Sequence, residues 1–190
     1  LKKRVGILGG TFDPPHIGHL IIANEVLHRL NLHQVEFMPN QEPPHKNRTS
    51  GTTLNNRLEM LELAIEGQPA FSIEKIELER QGRSFTIDTI NILQQLYPEK
   101  EYYFIIGADM VEYLPKWHKI EELVKKLHFI GVNRPNYQLI SPYPVTSVEV
   151  PQIDISSSLI RDRRKMGESI KYLLPDKVIS YIEENYLYES

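Results

Sequence analysis

Val5-Gly6-Ile7-Leu8-Gly9-Gly10-Thr11-Phe12-Asp13-Pro14-Pro15-His16-Ile17-Gly18-His19 decides the fold. A short apolar run, Val5 to Leu8, stops at two glycines, so it reads as a buried strand whose backbone a ligand can approach with no Cβ in the way. Ile17 to Leu30 carries apolar residues at 17, 20, 21, 27 and 30, one face of a helix. The first N–H groups of such a helix point back at any anion bound behind the strand. His16 and His19 add side-chain donors at the same helix end.

Strand-like and helix-like segments alternate along the rest of the chain. Val35–Met38 reads as a second strand and Leu54–Glu66 as a helix ended by Gly67 and Pro69, with residues 39–53 a loop between them. The alternation over Phe71–Leu78 predicts an edge strand, Ser84–Leu96 a helix, and Tyr102–Ile106 the strongest strand of the chain, ending at Gly107-Ala108-Asp109. A helix around Lys119–Leu127, strands at Phe129–Val132 and Val145–Val150, a short helix from Ser156 to Arg164 and a last one over Asp176–Asn185 complete the reading. Such alternation predicts a single α/β domain over residues 1–190. It would be a doubly wound, parallel, Rossmann-like sheet with a small C-terminal helical part and ligands outside the carboxyl ends of the strands. Gly9-Gly10 and Gly107-Asp109 then face one crevice.

Composition limits the function. The 190 residues are 41% hydrophobic, 25% charged and 9% aromatic, with a net charge of −3, which argues against a nucleic-acid binder working through a broad basic face. Any anion must be held by local clusters. Cysteine is absent, which removes disulfides, thiolate catalysis and thiolate metal sites. The apolar run after Leu1-Lys2-Lys3-Arg4 is too short for a signal sequence or a membrane span. A cytoplasmic enzyme with no membrane partner is expected, and a homo-oligomer, such as a dimer, is left open.

His16-Ile17-Gly18-His19 admits three readings from its residues. The imidazoles can clamp phosphoryl oxygens while Gly18 leaves room for the ligand; they can bind a metal, which needs a further ligand that local spacing does not supply; or they can be solvated or core histidines in a turn. Asp109 can accept from ribose hydroxyls or cap a helix. Ser157, Ser158 and Arg161 can hold phosphate oxygens at a helix start, or amount to a serine cap and a surface arginine.

The eleven-residue string from Gly9 to His19 resembles the HxGH signature of the nucleotidylyltransferase superfamily, and in particular that of bacterial nicotinate-nucleotide adenylyltransferases. Ile155-Ser156-Ser157-Ser158-Leu159-Ile160-Arg161 resembles the family's second signature, with Ser158 in place of its threonine. Ile106-Gly107-Ala108-Asp109 and Ser84-Phe85-Thr86-Ile87-Asp88-Thr89 match further family segments. The resemblance implies adenylyl transfer from ATP to nicotinate mononucleotide, with Mg²⁺ carried in by ATP and no metal site of the protein's own. It implies that His16, His19, Lys46 and Arg161 stabilise the triphosphate. Gly9, Gly10, Thr11, Phe12, Gly107, Asp109, Ser157 and Ser158 would complete the ATP site. Asn40, Lys46, Thr86, Tyr113, Trp117 and Arg134 would bind the acceptor. Thr86 and its helix start would take the pyridine carboxylate, and Trp117 would stack on the pyridinium ring. The competing readings are a sister transferase acting on nicotinamide mononucleotide or phosphopantetheine, a nucleotide-binding regulator without turnover, and a histidine metalloenzyme.

Overall fold

A computed structural model describes residues 2–41, 51–80, 85–133 and 140–189. Six strands form one sheet: β1 (Lys3–Gly10), β2 (Gln34–Pro39), β3 (Phe71–Ile73), β4 (Lys100–Gly107), β5 (His128–Val132) and β6 (Val145–Val148), in the order β3-β2-β1-β4-β5-β6. Every pairing is parallel. The order reverses between β1 and β4, so the crevice of this open sheet lies at their carboxyl ends.

The helices are α1 (Ile17–Arg29), α2 (Leu54–Ile65), α3 (Thr86–Leu96), α4 (Ala108–Tyr113), α5 (Ile120–Leu123), α6 (Ser157–Lys165) and α7 (Asp176–Glu184), with a 3₁₀ turn over Leu114–Lys116. Alternation along the strands splits the core. Val5 and Ile7 of β1, with Tyr102, Phe104 and Ile106 of β4, pack under Ile87, Ile90 and Leu93 of α3 and Leu123 of α5. Leu8, Val35, Phe37, Ile105 and Ile130 face the opposite way, onto Ala23, Val26 and Leu27 of α1 and Leu61 of α2. A third apolar cluster lies off the sheet: Met60 and Ala64 of α2 meet Ile160 of α6, Val178 and Ile182 of α7, and Tyr188. This is the C-terminal helical part, and it stands beside the loop after β1.

Two elements differ from expectation. The strand predicted over Phe71–Leu78 ends at Ile73, because the last ladder-like bond is Glu74 N–H to Phe37 O at 2.9 Å; beyond it the chain turns, Leu78 N–H donating to Lys75 O. Ile76 still packs into the core, which is why the alternation persists past the strand. The helix predicted over Lys119–Leu127 is a single turn, α5, followed by turns that lead into β5. Conversely α4 and the 3₁₀ turn after it were not foreseen. Ser84, the expected start of α3, lies outside the described residues, and Phe85 occupies the cap position. No helix among the described residues is long and apolar enough to cross a membrane.

Candidate active site

The loop after β1 is held from several directions at once. Arg57 of α2, only 1% exposed, donates to the carbonyls of Thr11 (2.8 Å) and Asn40 (3.0 Å). Ser157 of α6 donates to Pro14 O at 2.8 Å, and Arg161 donates to Asp13 O at 2.7 Å. The two sequence signatures thus meet side chain to backbone across more than 140 residues. Of the three serines, Ser156 caps α6 by accepting from Leu159 N–H (3.1 Å), Ser157 braces the loop, and Ser158 accepts from Arg161 (3.2 Å). Cap and brace are therefore divided among neighbours.

His16 is the N-cap of α1 and His19 lies in its first turn. Their rings stack at 3.7 Å between centroids, and His19 also meets the ring of Phe12 edge-on at 5.0 Å. His16 N–H donates to His19 Nδ1 at 3.1 Å. A ring nitrogen that accepts cannot carry the proton, so Nε2 is the donor nitrogen of His19. A backbone bond thereby sets the tautomer that a phosphate clamp requires.

Two cavities adjoin at this pair. One, of about 500 Å³, is lined by Gly9, Gly10, His19, Asn40, Thr86, Gly107, Asp109 and Trp117, together with Met38, Glu77 and Met110. The other, of about 380 Å³, is lined by His16, Gly18, His19, Asn133, Ser157 and the segment 150–156. His19 and Ile22 line both. Eight of the expected positions thus share one cavity, and His16 and Ser157 open the second.

The remaining expected residues are placed differently. Phe12 is 1% exposed, packed on Phe37 and His19, so its side chain belongs to the core and only its backbone can meet a ligand. Thr11 gives its carbonyl to Arg57, and Ser158 and Arg161 are engaged with each other behind the loop. Tyr113 is 55% exposed on α4 with the Lys116 ammonium over its ring, and it lines neither cavity. Lys46 and Arg134 lie outside the described residues. Trp117 is half-buried; its ring packs edge-on against Phe104 and Phe129 while lining the larger cavity, so it serves core and site together. Gly18 lines the smaller cavity, and a Cβ there would meet the His16 ring at 3.0 Å. A Cβ on Gly10 would likewise strike the Phe12 ring at 3.0 Å, whereas one on Gly9 would face only Phe104 at 3.8 Å.

Thr86 is the first residue of α3, whose cap residue Phe85 has no side-chain oxygen. That helix start suits an anion from a ligand. Glu77 lines the same cavity and accepts from Thr89 Oγ1 at 3.0 Å. Burial pushes its carboxyl above the usual range, opposed by that hydroxyl and by the charge of Arg80. Asn133 continues the β5–β6 pairing with its side chain, Oδ1 accepting from Val150 N–H at 2.7 Å, and so shapes one wall of the smaller cavity. Arg57 had a signal in the sequence: it falls on the apolar face 57, 60, 61, 64 of α2. Glu77 and Asn133 had none. Among the described residues no group of three or more His, Asp or Glu is arranged to hold a metal ion.

The cytidylyltransferase-like family matches residues 7–163. The chain is 53% identical over 188 residues to the nicotinate-nucleotide adenylyltransferase of Bacillus subtilis, covering 99% of this chain and all of that protein. It is 58% identical over 185 residues to a counterpart from Geobacillus thermodenitrificans, covering 97% of this chain and 86% of that one. The fold is also that of the Plasmodium falciparum nicotinic acid mononucleotide adenylyltransferase complexed with NaAD, with a TM-score of 0.82, 21% identity and 98% of each chain covered.

Proposed function

Since the chain belongs to the nicotinate-nucleotide adenylyltransferases of the cytidylyltransferase-like family, we propose that the loop from Gly9 to His19, braced by α6, is its triphosphate site. The activity is transfer of an adenylyl group from ATP to nicotinate mononucleotide, giving deamido-NAD and pyrophosphate. An anionic oxygen of the acceptor's phosphate attacks the α-phosphorus of ATP in line; a new P–O bond forms and the bond to the bridging oxygen breaks. The attacking oxygen already carries charge, so no side-chain nucleophile or strong base is required. What the chain must supply is alignment and a counter to charge gathering on the departing pyrophosphate.

The observation that carries this reading is the position of His19, at the seam of the two cavities with its Nδ1 occupied by a backbone N–H. Its Nε2–H, with His16, suits phosphoryl oxygens. Arg161 adds fixed positive charge behind the loop, and Lys46 is assigned to the same phosphates. On the acceptor side, Thr86 and the α3 start suit the pyridine carboxylate and Trp117 the ring, with Asn40 and Arg134 as further acceptor contacts. Asp109, in the first turn of α4 and lining the cavity, suits ribose hydroxyls. Mg²⁺ is assigned to the triphosphate and its own waters, given the sparse carboxylates. We read residues 1–190 as one domain and place it in the cytoplasm with its ATP.

The test is His19→Ala, assayed by pyrophosphate release with ATP and nicotinate mononucleotide. Loss of one phosphate donor should lower turnover on the order of 10² to 10³. Unchanged turnover would sink the clamp assignment.

A further inference from the structure

Asp13 takes no part in the chemistry above, yet distant segments converge on it. Its Oδ1 accepts from Thr52 Oγ1 at 2.7 Å and from Tyr188 OH at 2.6 Å, and the three residues are 5%, 3% and 2% exposed. Its backbone carbonyl accepts from Arg161. Thr52 follows the segment that carries Lys46, and Asn40 before that segment is held through its carbonyl by Arg57, which also holds Thr11. Tyr188 arrives from beyond α7, in the apolar cluster with Met60 and Ile182. Two residues after Asp13 the chain reaches Pro15, and then His16.

Buried hydroxyl-to-carboxylate bonds of this length fix a side chain far more firmly than packing alone, because the carboxylate has no water to turn to. We propose that Thr52 and Tyr188 are positioning residues for adenylyl transfer, acting through Asp13 to hold the His16–His19 pair in register. The proposal rests on the assignment of His16 and His19 to the phosphates. Neither hydroxyl touches substrate. Each removes a degree of freedom from the loop that does.

The experiment uses the full chain carrying Thr52→Val, Thr52→Ser or Tyr188→Phe, with kcat and KM measured for ATP and nicotinate mononucleotide and melting temperature recorded for each. A misplacement of about 1 Å costs on the order of 10²-fold in rate, so partial release of the loop should lower kcat roughly tenfold in Thr52→Val and in Tyr188→Phe. KM for nicotinate mononucleotide should stay within about twofold, and Thr52→Ser, which keeps the hydroxyl, should recover the rate. The double variant should lose less than the product of the two, since both act on one carboxylate. Wild-type kcat in the two hydroxyl deletions overturns the proposal whatever the melting temperature does, and so does failure of Thr52→Ser to recover it. Should Thr52→Val not fold, Tyr188→Phe decides alone, because its ring still fills the apolar cluster. Unchanged turnover in His19→Ala would instead defeat the clamp assignment, a separately visible failure.

Discussion

Replacing Gly18 with alanine should slow the enzyme without loosening it. Gly18 is the second residue of α1, and an added Cβ would lie 3.0 Å from His16 Nδ1 and 3.1 Å from Cε1. To reach the 3.4 Å at which ordinary contacts begin, the ring must retreat by roughly 0.4 Å. It has little room to do so: His16 is 7% exposed, its ring stacks on His19 at 3.7 Å, and its N–H holds His19 Nδ1. The displacement therefore passes to His19. Scaling from the roughly 10²-fold cost of a 1 Å misplacement, kcat should fall about tenfold. The helix itself gains, since alanine is favoured over glycine in a helix by about 0.5–1 kcal/mol, which offsets the strain at the ring. Steady-state pyrophosphate release at saturating substrates, alongside a thermal melt, measures both. Wild-type kcat would refute the reasoning, as would a loss of kcat accompanied by a fall in melting temperature of roughly 5 °C or more, the signature of general destabilisation.

Other positions give independent checks. Thr86→Val keeps the shape but removes the hydroxyl, and should raise KM for nicotinate mononucleotide roughly tenfold while leaving any activity with nicotinamide mononucleotide unchanged; an equal rise with both would deny Thr86 a role at the carboxylate. Glu77→Gln bears on pH dependence. A carboxyl whose pKa is raised on folding holds its proton more tightly in the folded chain, so its contribution to stability falls as pH rises through the window above 4.5. The Gln variant should have a flatter profile of melting temperature in that window, and identical profiles would show that Glu77 is not the titrating group. Lys100→Met strands Glu36, whose carboxylate meets Lys100 Nζ at 2.6 Å with both side chains almost fully buried, and should cost about 3 kcal/mol in urea unfolding. A cost below about 1 kcal/mol would place that pair among the weak surface bridges.

Central strands were legible because they are buried on both faces and so read as apolar runs: Val5–Leu8, Val35–Met38, Tyr102–Ile106 and Phe129–Val132 all fall within observed strands. The edge was harder. Past Ile73 the alternation continues while the backbone has left the sheet, because Ile76 is pinned to the core and Glu77 to the cavity. At α4 the helix opens straight from the strand-end glycine and runs into Pro115 within seven residues, too short a stretch for periodicity to speak. Gly9, His19, Thr86, Asp109 and Trp117 were singled out by motif and by family resemblance, and one cavity gathers them. Bracing was not legible. That Arg161 and Ser157 reach backbone carbonyls of the first loop is a fact of tertiary packing, and Arg57's place on the apolar face of α2 shows that it is buried but not which carbonyls it holds.

The contacts from Ser157 to Pro14 and from Arg161 to Asp13 close loops of 143 and 148 residues. Synthesis delivers the glycine-histidine segment first and the residues that brace it near the end, and contacts so distant in sequence form late in folding. A nascent or truncated chain that has already built its first strands therefore lacks the side chains that brace the loop after β1.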